Sequence, residues 1–150
     1  MKNNTKIKKI LIILSFIVCL CEASFSEDAD VVLDGRFFRD FNNRQLIQRD
    51  EFLDVITKKI IIGRGIITGI SVNDRYKKKY RIIIESSDSA VYNQKIIFFV
   101  FLENKDTVDL LSLNSKFEFK GEMMGYTPLG TKRNEYIIDV ILMDGSTVIE

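Results

Sequence analysis

The sequence predicts a mainly β domain, a five-stranded Greek-key barrel with a short helix before its first strand and another between strands three and four. Three observations predict it. From Lys59 onward the apolar residues recur at every second position and are rich in Ile, Val and Phe, the side chains that suit a pleated sheet. The long apolar stretch from Lys59 to Val72 contains Gly63, Gly65 and Gly69, more glycine than a regular strand tolerates unless it bends or another backbone comes close. The remaining elements follow as two strands, a short helix and two final strands, an order that lets the first strand serve both halves of a curled sheet.

The chain opens with Lys2, Lys6, Lys8 and Lys9 ahead of the apolar run Ile10 to Leu20. An apolar run of eleven residues, broken only by Ser15, with basic residues only on the N-terminal side is too short for a comfortable membrane span and has the build of a secretory signal peptide. Cleavage after Ala23 leaves Cys21 and Ala23 at the small-residue recognition positions, and cleavage after Ser26 would use Ser24 and Ser26. The expected location is therefore secreted or periplasmic. Both cysteines, Cys19 and Cys21, lie in this leader. A lipid anchor on either would require a cut beside the bulky Val18 or Leu20, so lipidation is the lesser alternative and membrane attachment is expected only with it or with an uncleaved leader.

Removing residues 1 to 23 takes four of the 22 basic and one of the 21 acidic side chains, which leaves a net charge of about −2 on a single domain of ordinary size. Residues 24 to 41 begin with Glu27, Asp28 and Asp30 and read as a solvated linker, with the folded domain expected from 42 to 150. Asn42 to Gln45 offers a helix start, after which Leu46, Phe52, Leu53 and Ile56 share one side of a helix and Arg49 projects into the same arc. In the first strand Ile60, Ile62, Ile66, Ile70 and Val72 share one face and the three glycines the other. Tyr80 to Glu85 makes the second strand. Lys95 to Leu102 makes the third and is apolar on both faces. A short helix is expected within Asn104 to Leu113. In Lys116 to Met123, Phe117, Phe119, Gly121 and Met123 face in while Lys116, Glu118, Lys120 and Glu122 face out. Glu135 to Leu142 closes the set. The predicted core includes Phe117, Phe119, Ile82, Ile84, Ile138 and Val140.

This element order is that of the OB-fold. The segments Lys59-Ile-Ile-Ile-Gly-Arg-Gly-Ile-Ile-Thr-Gly-Ile70, Ile96-Ile-Phe-Phe-Val-Phe101 and Leu110-Leu-Ser-Leu-Asn-Ser-Lys-Phe-Glu-Phe-Lys-Gly121 resemble the small bacterial tRNA-anti-like OB-fold domains, and the chain is also similar to secreted OB-fold proteins in which a short helix precedes the first strand. The likeness covers about residues 42 to 144 and rests on strand order, the glycines and the turn before Phe117, where Asn114-Ser115 departs from the glycine and acid expected there. The resemblance implies a fold and does not imply tRNA binding.

OB-folds bind through the face of strands two and three and the loops joining strands one to two and four to five. The first of these loops, Asn73 to Lys79, carries Arg75, Tyr76, Lys77, Lys78 and Lys79 against Asp74. The second, Gly125 to Asn134, carries Tyr126, Lys132 and Arg133 and no acid. Placed at one end of the site, these eight residues form the candidate ligand-binding set, with the cations holding an anion and the tyrosines offering stacking surfaces. The competing reading is that the lysines only keep sheet edges soluble. The second apolar face of the third strand is either covered by the helix of residues 43 to 57 or open as a partner surface.

Catalysis has few means here. The chain has no histidine and no cysteine beyond Cys21, which excludes zinc sites built on nitrogen and sulfur, serine-histidine triads and cysteine nucleophiles from the mature chain. Glu85, Glu103, Asp106, Asp109, Glu118, Glu122 and Asp139 fall mostly at exposed strand positions or helix caps, and the glycines sit within a strand with no helix following, unlike a phosphate-cradling loop. No catalytic residue, metal or cofactor is expected. The sequence thus points to an exported binding module for an anionic ligand, an acidic protein or an envelope glycan. The alternatives are an envelope subunit using the apolar third strand, and a single-stranded nucleic-acid binder, against which export argues.

Overall fold

The computed structural model describes residues 29–72 and 77–149, with residues 144–149 described by backbone alone. The expected leader and the loop residues Arg75 and Tyr76 lie outside the described residues. The chain is mainly β, with one six-stranded sheet and a few short helices.

The stretch expected as a linker is folded from Val31 on. Strand β1 (Val31–Val32) pairs parallel with Ile61 and Ile62, so the sheet has six strands where five were expected. Helix α1 (Gly35–Asn42) follows. The Asp34 carboxylate caps it, accepting from the Arg36 and Phe37 amides at 2.9 and 3.0 Å. Those amide hydrogen bonds, the Phe37 one foremost, favour the charged carboxylate and hold its pKa below the ordinary value. Phe37, Phe38 and Phe41 are buried, and Phe37 stacks on Phe52 at 5.2 Å. The acids Glu27, Asp28 and Asp30 precede this aromatic triplet in the sequence, and its spacing puts all three rings on the side of α1 that meets the core.

Helix α2 (Leu46–Ile56) begins at Gln45, whose amide donates to the Gln48 side chain at 3.3 Å. Leu53 and Ile56 are buried as expected, but Leu46 is exposed. Arg49 does share the inward arc. Its guanidinium donates to the carbonyls of Asn42 and Arg133 at 2.8 and 3.3 Å and lies 5.7 Å from the Phe41 ring.

The long strands are β2 (Ile60–Val72), β3 (Tyr80–Glu85), β4 (Lys95–Leu102), β5 (Lys116–Leu129) and β6 (Glu135–Ile149), with short helices α3 (Ser87–Ala90) and α4 (Lys105–Asp109) on either side of β4. The sheet order is β1-β2-β3-β4-β6-β5, and β2 also pairs with β5. Strand β2 serves both neighbours. Its first half runs antiparallel to β5, Ile60↔Glu122 through Ile66↔Lys116, and its second half antiparallel to β3, Ile66↔Glu85 through Val72↔Tyr80.

The changeover explains two glycines and corrects the expected facing of the strand's first half; past the register shift between Ile67 and Gly69, Ile70 packs against the core as expected. The buried face is that of Ile61, Gly63, Gly65 and Ile67, while Ile60, Ile62 and Ile66 are half-exposed on the other side. A Cβ on Gly63 would meet the Phe119 ring at 2.6 Å, and one on Gly65 would lie 2.2 Å from the Glu85 carbonyl oxygen. Gly65 is where the backbone of β3 crosses against β2, and only a residue without Cβ fits.

The core lies between the inner faces. All six residues expected there, Phe117, Phe119, Ile82, Ile84, Ile138 and Val140, are buried, and Phe98 meets Phe119 edge to face at 5.0 Å. In β4 the inner set is Ile96, Phe98 and Val100. On its other face Ile97 and Phe99 are half-buried and Phe101 is buried. The polar contacts of α2 run to β5 and β6, through Tyr126 and Tyr136, and the cover seen over Phe99 is Arg81.

Candidate functional site

In the loop between β2 and β3, Lys77 and Lys79 are exposed and form no ion pair among the described residues. Lys78 is paired with Glu103 at 3.1 Å, which fastens the loop to the chain just after β4. Three residues on, strand alternation turns Arg81 to the outer face between Tyr80 and Ile82. Its Nε donates to the Ser71 hydroxyl at 3.2 Å, and its guanidinium sits 4.5 Å above the ring of Phe99. This contact aligns a cation with the negative face of an aromatic ring and holds the guanidinium at the surface without neutralising it.

Tyr126, Lys132 and Arg133 do not join this group, and for Tyr126 the reason is the length of β5. The strand continues through Gly125 and Pro128 to Leu129, so Tyr126 is a strand residue and the connection shrinks to residues 130 to 134. The Tyr126 hydroxyl donates to the Asp54 carboxylate at 2.9 Å, with the Asp50 carbonyl oxygen at 3.1 Å. Burial, then the hydrogen bond to Asp54 and its charge, push its pKa up to about 12. It is tied to α2 and is no free stacking surface. Arg133 is ion-paired with Asp50, whose other carboxylate oxygen accepts from the Tyr136 hydroxyl at 3.3 Å. Lys132 is exposed.

The register also places the two loops apart. Tyr80, at the exit of the first loop, pairs with Leu102 at the end of β4. Glu135, at the exit of the second, pairs with Lys95 at its beginning, and the Lys95 amide donates to the Asn134 carbonyl at 2.8 Å. The loops therefore flank opposite ends of β4, roughly 23 Å apart at about 3.3 Å per residue. A shared end was expected because the parallel pairing of β4 with β6 is not visible in local sequence. At the Lys95 end the charges are matched, since Lys95 pairs with Glu135 at 3.1 Å and that carboxylate raises the lysine pKa.

What remains together is one cationic end. Lys77, Lys78, Lys79 and Arg81 gather where β3 begins, beside the half-buried Phe99 and Ile83 on the same outer face. Such an arrangement can attract an anion over some distance through the lysines, pair it with a guanidinium and cover an apolar portion of it. Arg81 and Phe99 were absent from the expected set, although the alternation of residues 80 to 85 and 95 to 102 already puts them on neighbouring strands. Among the described residues no group of three or more acids could hold a metal ion.

No family model matches the chain, and neither does any curated protein. Among solved structures it is similar to a putative aspartyl-tRNA synthetase from Leishmania major Friedlin, at 7% identity over 79% of this chain and 20% of that one, with a TM-score of 0.39. It is also similar to the asparaginyl-tRNA synthetase of Entamoeba histolytica in complex with asparaginyl-adenylate, at 16% identity over 62% of this chain and 21% of that one, with a TM-score of 0.37. The chain thus spans about a fifth of the length of the solved structures it matches.

Proposed function

We propose that this chain is an exported, non-catalytic binding module of the OB-fold kind, similar to the tRNA-anti-like domains, that holds an anionic ligand at the lysine-rich end of its β3–β4 face. The strand order supports the fold. With β1 set aside, the pairings run β2-β3-β4-β6-β5 and back to β2, the Greek-key order of an OB-fold barrel. The observation that carries the binding reading is Arg81, braced by Ser71 over Phe99 beside the exposed Lys77 and Lys79. The ligand is an acidic protein or glycan of the cell envelope.

The test is titration with poly-glutamate and with heparin oligosaccharides at several salt concentrations. Exchanging Lys77 and Lys79 for glutamine is expected to leave the denaturation midpoint nearly unchanged, since such exposed side chains contribute within about ±0.5 kcal/mol each. The same change weakens polyanion capture and flattens its salt dependence. Capture that is identical in the variant and the original protein at low and high salt overturns the reading. Single-stranded nucleic acid remains the second reading because the Arg81 guanidinium lies over the half-buried Phe99 ring on the strand face, where a base would stack on the guanidinium plane. A preference for oligothymidylate over poly-glutamate of equal charge would favour it.

A further inference from the structure

On the side of the sheet formed by β2 and β5, away from the lysine loop, lies a cavity of about 370 Å³ lined by Arg64, Ile66, Ser87, Asp88, Lys116 and Glu118. The register explains its charge pattern. On this outward face Arg64 is opposite Glu118 and Ile66 is opposite Lys116, while α3 brings Asp88 to the far side of Arg64. Asp88 grips the arginine with two hydrogen bonds, Nε to Oδ2 at 2.8 Å and Nη2 to Oδ1 at 3.3 Å. That fixes the guanidinium and leaves Nη1 without a hydrogen bond among the described residues. Lys116 and Glu118 are exposed and form no ion pair among the described residues.

We propose that this cavity binds a small zwitterion of dipeptide size, its carboxylate set against Lys116 and the free edge of Arg64 and its ammonium against Glu118. A simple anion would meet Lys116 and Arg64 but also Glu118 and Asp88, and a simple cation faces the reverse. Only a ligand with both charges matches both walls. The dimensions agree. Lys116 and Glu118 are two residues apart on one strand face, about 7 Å, and the ends of an extended dipeptide are separated by a similar length. The volume lies at the small end of the range for ligand pockets. Ser87 supplies a hydroxyl that can donate to or accept from the central amide, and Ile66 offers apolar contact to a short side chain. This site is independent of the anionic-ligand reading, because it shares no residue with the β3–β4 face.

The experiment is a two-dimensional amide NMR titration with Ala-Ala, its N-acetyl derivative and its C-terminal amide. Free Ala-Ala is expected to shift the amides of Arg64, Ser87, Lys116 and Glu118 saturably in the millimolar range. Either blocked form is expected to bind at least tenfold more weakly. Lys116→Gln and Glu118→Gln, both at exposed positions and checked for an intact spectrum, each lower the Ala-Ala affinity by about tenfold, while Lys77→Gln leaves it unchanged. Equal responses to the three peptides, or no saturable shift at tens of millimolar, overturn the proposal.

Discussion

The Tyr126 hydroxyl, on the strand that was expected to have ended before it, donates to the Asp54 carboxylate of α2 at 2.9 Å. A residue expected to stack a ligand instead fastens a helix to the sheet. Tyr126→Phe keeps the ring and removes the bond, and should cost about 1 kcal/mol, since Asp54 is exposed and the net value of one such bond is modest. The pH dependence has a definite sign. The unfolded tyrosine loses its proton near the ordinary value of 10.0 and the folded one near 12, so the stabilisation is complete below pH 10 and falls as pH rises towards 12. Denaturation midpoints measured across that interval should converge for the original protein and Tyr126→Phe.

Two glycines in long strands should respond oppositely to alanine. Gly65→Ala drives a Cβ against the Glu85 carbonyl oxygen, with backbone rather than a flexible side chain as the obstacle, and should cost about 1 to 3 kcal/mol or more. Gly125→Ala meets nothing within 4 Å and should change stability by no more than about 0.5 kcal/mol. Chemical denaturation of the two variants side by side checks the crossing at Gly65.

Arg133 and Asp50 form a pair that is structural in this fold. Arg133→Gln and Asp50→Asn should each cost about 1 kcal/mol, and the double variant clearly less than the sum, because one interaction is lost in all three. Polyanion capture should be unaffected by Arg133→Gln, in contrast to the lysine exchanges. A double-mutant cycle together with the poly-glutamate titration checks both halves.

Lys58 follows helix α2 with φ of 68°, a left-handed conformation that costs a residue with a Cβ but suits glycine. Its amide donates to the Met123 carbonyl at 2.7 Å, a bond the side chain does not affect. Lys58→Gly should therefore raise stability by about 0.5 kcal/mol, read as an upward shift of the thermal midpoint.

The strand pattern was legible because a half-buried strand writes its burial into every second residue, and Lys116 to Met123 shows that alternation without interruption. The inner residues of β3, β5 and β6 were found in this way. The facing of the first half of β2 was misjudged because glycine carries no hydrophobic signal, so Ile60, Ile62 and Ile66 were placed inside where Gly63 and Gly65 are, whereas Ile70, past the register shift, packs against the core as expected. Helix α1 was hidden by the acids that precede it. For the candidate site, Lys77, Lys78 and Lys79 were visible as a charge run, but the partners of Tyr126 and Arg133 lie on a helix more than 70 residues away in sequence. Whether such a residue meets a ligand or a helix is decided by long-range pairing, which local periodicity does not encode.

The double duty of β2 bears on how this molecule comes apart. Through its residues 60 to 72 it joins β1, β3 and β5, so neither the β3–β4 hairpin nor the β5–β6 hairpin can detach without stripping hydrogen bonds from this one strand. Neither hairpin is therefore left as a cooperative unit that opens on its own. The amides of Ile61 to Ile67 should accordingly exchange with solvent only through global unfolding, at the rate set by the full stability. Because the β2–β5 contacts span 50 to 62 residues, the chain must close that long loop before its core is enclosed, and refolding should be slow for a domain of this size.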